Sequence, residues 1–251
     1  IGLTRDQGQG WGGSFASAVS GALGATEAME VAAVDSDIWR LAANDLLDGL
    51  KRLVEEEGAD VNGKDSQGCS PLLWAIKNGH PTVAKYLLEH GADIEGSGFG
   101  GMRSLHFACN GAKENLVILL IDNGADVGST DDAGNTPLHW ACARGILNIV
   151  IRLVEKNANP NAANNQGATP MHRAALFGAI ACVKKLVEFK AKVDQTDAEG
   201  NTPLHLASKV GFEVVVSFLL ANGANPAAKN KQQKTPKDVA LNKDIAALFD
   251  S

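Results

Sequence analysis

The chain has 251 residues, 45% hydrophobic but only 5% aromatic, with 27 glycines and a net charge of −6. Such a composition folds, and it suits small repeated units joined by tight turns better than one large core. The acidic balance argues against nucleic acid and against an anionic membrane surface, which both call for a basic face. No apolar run approaches the ~20 residues of a membrane span, and no secretory signal is visible.

Residues 1–34 form an N-terminal extension. Its first part, 1–13, is Gly-rich and polar and reads as linker. Residues 14–34 carry Ala and Met at loose helical spacing, compatible with a helix covering residues 35–66 or with disorder. The start at Ile1 rather than Met fits a fragment or a processed piece.

From residue 35 a period governs the chain. The segments Ser70-Pro71-Leu72-Leu73-Trp74-Ala75, Arg103-Ser104-Leu105-His106-Phe107-Ala108 and Thr136-Pro137-Leu138-His139-Trp140-Ala141 are followed by Thr169-Pro170-Met171-His172-Arg173-Ala174, Thr202-Pro203-Leu204-His205-Leu206-Ala207 and Thr235-Pro236-Lys237-Asp238-Val239-Ala240. Each starts 33 residues after the last, and Asp37-Ile38-Trp39-Arg40-Leu41-Ala42 is a weaker first copy. A second marker, Gly58-Ala59-Asp60-Val61-Asn62, recurs in phase, with variants starting at Gly91, Gly124, Asn157, Lys190 and Gly223. Thr-Pro-Leu-His-x-Ala at this period is the ankyrin signature.

The expected fold is all-α: a solenoid of about seven helix-turn-helix repeats with short β-hairpin loops, at about 35–66, 67–100, 101–133, 134–166, 167–199, 200–232 and 233–251. Within a repeat, Thr136 is placed to cap the inner helix and Pro137 to sit in its first turn, where a missing N–H costs nothing. Gly145 ends that helix. The outer helix, Leu147 to Lys156, repeats Ile149, Val150, Leu153 and Val154 at helical spacing. Repeat 1 ends in an acidic outer helix, Leu46 to Glu57, and repeat 7 is cut short, as end units should be. Repeat 3 is least regular, with Arg103 and Ser104 in place of Thr-Pro and Ala112 in place of the helix-ending Gly. It comes after the glycine-rich loop 96–101, so its joint is expected to be the softest.

The histidines His106, His139, His172 and His205 tempt a metal reading. Helices packed ~8–10 Å apart cannot share an ion whose ligands lie ~2 Å from it. Each is expected instead to brace its loop through backbone and the Thr hydroxyl, with His80 and His90 isolated and exposed. Gly96, Gly98 and Gly101 spell a dinucleotide fingerprint, with Asp122 downstream, but lack the strand and βαβ context it requires. Cys69, Cys109, Cys142 and Cys182 have no metal-ligand spacing and read as reduced, unpaired thiols in a cytoplasmic or nuclear protein. No catalytic constellation is visible, so neither enzyme activity nor a cofactor is expected.

The candidates for binding are positions that vary between repeats. Trp74, Phe107, Trp140, Arg173 and Leu206 share one inner-helix position, read as inter-repeat packing, as a partly exposed hot-spot strip, or as both. The inner-helix ends add Asn44, Asp45, Lys77, Asn78, Asn110, Ala143, Arg144, Leu176, Phe177, Lys209 and Val210. Loop tips add Phe99, Asp132 and Glu199, among others. Phe99 and Phe177 have no evident core role. Charge is uneven: residues 35–66 hold nine acids against four bases, whereas 229–251 hold five Lys against three Asp. Such a gradient would orient a charged partner along the array.

One resemblance goes further. Residues 168–240, through Met171-His172-Arg173-Ala174-Ala175, Lys190-Ala191, Glu199 to Ala207, Asn230-Lys231, Lys234-Thr235-Pro236 and Val239-Ala240, resemble the gankyrin family, ankyrin chaperones of the proteasome regulatory particle. The resemblance implies a monomer binding the C-terminal domain of a proteasomal ATPase in its concave groove. The Leu-x-Cys-x-Glu motif of that family is absent, since Leu206-Ala207-Ser208-Lys209-Val210 stands there. Residues 11–62 faintly resemble the linker and first repeat of ankyrin-bearing acyl-CoA-binding proteins, which implies a scaffold at the end of a larger protein.

Overall fold

A computed structural model describes residues 37–250. The expectations for 1–34 lie outside the described residues. Thirteen α-helices succeed one another along the described residues, and no strand occurs among them. Six inner helices, α1 (Ile38–Ala43), α3 (Pro71–Asn78), α5 (Ser104–Asn110), α7 (Pro137–Arg144), α9 (Pro170–Leu176) and α11 (Pro203–Val210), alternate with six outer ones. The outer row is α2 (Leu47–Glu55), α4 (Pro81–Glu89), α6 (Glu114–Asp122), α8 (Leu147–Glu155), α10 (Ile180–Glu188) and α12 (Glu213–Ala221). In the seventh repeat a turn replaces the inner helix, and only α13 (Lys243–Ala247) is left of the outer one.

Each repeat contributes the same atoms to one continuous core. Ala42, Ala75, Ala108, Ala141, Ala174 and Ala207 are fully buried and let neighbouring inner helices approach closely. Leu87, Leu120, Leu153, Leu186 and Leu219 do the same service between the two rows. Inner helices pack against their neighbours more closely than outer ones do, so the stack curves toward the inner-helix side.

The histidine brace extends further than expected. The Thr136 N–H donates to Nδ1 of His139 at 3.0 Å, which leaves the ring proton on Nε2. That Nε2–H donates to the carbonyl of Ala168 in the next repeat at 3.0 Å. His106, His172 and His205 repeat the arrangement onto Asn135, Asn201 and Lys234. Repeat 3 keeps its brace without Thr, because the backbone N–H of Arg103 serves His106 at 3.1 Å. His80 is not isolated: it is half-buried and its Nε2 bonds the Ala43 carbonyl at 2.9 Å. His90 is exposed but stacks on Tyr86, ring centroids 4.0 Å apart.

The expected β-hairpins are turns without strands. Successive tips are joined by one backbone bond each: Asp132 N to Gly100 O, Asn165 N to Ala133 O, Ala198 N to Gln166 O and Lys231 N to Glu199 O. One bond per joint is too few for a ladder. Among the described residues no such bond joins the loop at 65–69 to that at 98–102. Below the tips, Asn62, Glu95, Asn161 and Asp194 accept from the backbone N–H of Asp93, Asp126, Lys192 and Asn225 in the following repeat.

Five residues other than glycine hold a left-handed backbone among the described residues: Asp45, Ala112, Asn157, Lys190 and Gln233. Outer helices end in residues with positive φ at Gly58, Gly91, Gly124 and Gly223, but also at Asn157 (φ 69°) and Lys190 (φ 60°). Ala112 likewise holds φ 55° where Gly79 and Gly145 stand in neighbouring repeats.

Candidate functional site

The inner helices and the loop tips present one face, on the inside of the curve. Its centre is a shallow depression of about 60 Å³ lined by Asn135, His139, Trp140, Ala143, Arg173 and Phe177. Four of these were expected from the sequence, and the fold brings them together from α7 and α9. Trp140 is half-buried and its indole N–H donates to Asp131 Oδ2 at 3.0 Å. Arg173 donates to Asn135 Oδ1 at 3.1 Å, which holds the guanidinium over the repeat before its own. Phe177 is 54% exposed, and Val210, its equivalent one repeat on, is 38% exposed. Ala143 and Leu176 are half-buried beside them, and Arg144 and Lys209 stand out into solvent.

A second cluster lies one repeat pair away. Lys77 sits over the rings of Trp74 and Phe99, at 4.3 and 4.8 Å from their centroids. Phe99 meets Trp74 edge-on with centroids 6.2 Å apart and packs on the core, so it does have a packing role, contrary to expectation. The Trp74 indole donates to Asp65 Oδ2 at 2.7 Å. The glycine-rich loop beside it serves packing: a Cβ on Gly98 would lie 2.8 Å from both Cys69 Sγ and Leu73 Cδ1.

Phe107 departs from the set. At 8% exposure it belongs to the core, because loop 96–101 and the neighbouring repeats close over it, and it offers almost no surface to a partner. Asn78 is exposed but committed, donating to the Ala43 carbonyl at 2.7 Å. Asn44 likewise donates to the Arg40 carbonyl, and Asp45 lies 3.8 Å from the His80 ring at the acidic end. Asn110 is half-buried, while Asp132 and Glu199 are exposed at loop tips on the rim.

Sequence reasoning missed Asn135. It is 4% exposed, bonds Asp131 and accepts from Asn164 Nδ2 at 2.8 Å as well as from Arg173. The signal was present in the spacing Asp131-x-x-x-Asn135, repeated at Asp197-x-x-x-Asn201, where Asn230 Nδ2 donates to Asn201 Oδ1 at 2.9 Å.

Burial shifts the brace histidines and the thiols. It lowers the pKa of His139 to about 4, with the Ala168 carbonyl opposing and Arg173 adding to the fall. It lowers His106, His172 and His205 in the same sense. The same desolvation raises the thiols, Cys182 to about 11 and Cys142 well above its ordinary value. All four cysteines are free and buried, which makes them poor nucleophiles. Among the described residues no group of His, Cys, Asp and Glu is placed to hold a metal ion, and no helix is long and apolar enough to cross a membrane.

Repeated helix pairs stacked through a shared core and braced by Thr-Pro-x-His loops define a helical repeat solenoid. The family of ankyrin repeats in three copies matches residues 38–131 and 105–197, and the single ankyrin repeat matches 199–231. The chain belongs to the ankyrin-repeat family, whose repeats are protein–protein interaction modules. It is similar to the ankyrin repeat domain of human ASB11, at 31% identity over 85% of this chain and 96% of that one, with a TM-score of 0.78. The ankyrin repeat domain of Bcl-3, a member of the IkappaB family, shares the fold at 24% identity and a TM-score of 0.73, over 85% of this chain and 97% of that one. No curated protein sequence gives a significant match.

Proposed function

We propose that this chain is a non-catalytic binding module that takes a folded protein partner in the groove lined by α7, α9 and α11. The observation that carries this reading is Phe177. A phenylalanine 54% exposed at the C-cap of α9, in one depression with Trp140 and Arg173, has the composition of a binding hot spot and no packing duty. Core positions repeat from unit to unit, whereas these positions change.

The resemblance of residues 168–240 to gankyrin makes a proteasomal ATPase C-terminal domain the first partner to test, with the chain acting as an assembly chaperone. Neither the ASB11 nor the Bcl-3 domain is a gankyrin, so that partner rests on those residues alone. The four buried thiols fit a reducing cytoplasmic or nuclear setting.

Affinity capture with mass spectrometry, scored for proteasomal ATPase subunits, identifies the partner. Arg144→Glu with Phe177→Ala should weaken capture by ~1–3 kcal/mol or more while folding stays intact. Unchanged capture by that double variant would remove the groove from the reading.

A further inference from the structure

The two helix rows differ in charge: the inner row is basic only, and the outer row is mixed. The inner helices hold Arg40, Lys77, Arg144, Arg173 and Lys209 and not one Asp or Glu. Every outer helix of the six pairs holds at least one acid, with Lys51, Arg52, Lys85, Arg152, Lys184 and Lys185 interspersed among them. A cation in the last turn of a helix gains from the macrodipole, but the dipole does not decide this pattern. The outer helices feel the same dipole, yet α2, α4, α6, α8 and α10 end on Glu55, Glu89, Asp122, Glu155 and Glu188, even where Arg52, Arg152 or Lys185 shares the last turn. The basic inner row is therefore a property of the face, on a chain whose net charge is −6.

Among the described residues these cations have no carboxylate partner. Lys77 rests on aromatic rings and Arg173 on an amide oxygen. Arg144 and Lys209 are exposed and flank Phe177 and Val210 by sequence and by repeat position.

Resting on the groove reading, we propose that the surface of the partner entering this groove is an acidic polypeptide segment with bulky apolar side chains between its carboxylates. Its carboxylates pair with Arg144, Arg173 and Lys209, and an apolar side chain covers Phe177 and Val210. Guanidinium groups suit this role, because their fork matches a carboxylate bidentately. A continuous polyanion fits worse. Asp132 and Glu199 stand exposed on the rim, where a phosphate backbone would meet them at every pass. Isolated carboxylates separated by apolar residues meet the rim acids at fewer points, with Glu199 sharing the depression of Lys209 and Lys234.

The test is a display library of 15-residue peptides of all net charges, selected on the 251-residue chain. Enrichment of acidic peptides carrying Leu, Ile or Phe is expected, with affinity falling as salt rises. Arg144→Glu with Lys209→Glu should weaken the selected peptides about tenfold or more. Glu188→Lys on the outer row should leave them unchanged, with circular dichroism verifying that both variants fold. Neutral or basic peptides that bind and are lost on the groove variants would overturn the acidic assignment while leaving the groove reading standing. Selected peptides indifferent to every groove variant, or no binder at all, would overturn both. Heparin or a single-stranded 30-mer DNA binding more tightly than the acidic peptides, and lost on the same variants, would replace them with a nucleic-acid-like polyanion.

Discussion

Acidification should loosen this array at its joints. Each brace needs a neutral imidazole: Nδ1 accepts from backbone, and Nε2–H donates across to the next repeat. Protonation puts a second proton on Nδ1, which then faces the Thr136 N–H and has nothing to give it to. The pKa of His139 is about 4 in the folded chain, against the ordinary 6.5. The unfolded chain therefore binds a proton first as pH falls. The stability from this group is complete above pH 6.5 and is lost progressively down to about pH 4. The gap of about 2.5 units corresponds to ~3 kcal/mol for His139 alone. His106, His172 and His205 are shifted in the same direction and add to the loss. Urea unfolding between about pH 7.5 and 4 measures it, and His139→Gln isolates it from carboxylates that titrate in the same range. The variant should be less stable at about pH 7.5 but lose ~3 kcal/mol less on acidification. Parallel pH profiles for the two proteins would refute the account.

Three further outcomes are expected. Lys190→Gly should raise stability by ~0.5–1 kcal/mol in thermal or urea unfolding, since a left-handed lysine is strained and glycine there is not. Amide exchange in α5 should be faster than in α7, because the loop joining repeats 2 and 3 lacks the backbone bond found at later joints; equal protection would dismiss this. Cys109 and Cys142 should resist a thiol reagent in the native chain and react on unfolding, since burial holds both as thiols.

The register was legible because it is written in small residues with one use each. Ala at the sixth place of the repeated segment must be buried for helices to touch, and His at the fourth must reach the next loop. The alanine follows from spacing alone, whereas the reach of the histidine into the next repeat shows only in the fold. The working face was harder. Phe107 and Trp140 occupy the same repeat position, yet one is core and the other is half-exposed. The difference comes from loop 96–101, an irregular turn whose path no periodicity dictates. Phe99 was misjudged for the same reason, since its ring packs on Trp74 only because that loop folds inward. Asn135 was missed because its value lies in three partners from separate repeats, and sequence distance hides such convergence.

The imidazole brace also has a direction. Every one reaches from its own unit toward the C-terminal neighbour. Shortening the chain from the front removes a donor and leaves a carbonyl, which water satisfies readily. Shortening it from the back, ahead of Lys234, strips the acceptor from a buried ring N–H at His205. Truncations of equal length are thus unequal in consequence, and the final turn with its small helix acts as the clasp on an otherwise repeatable string.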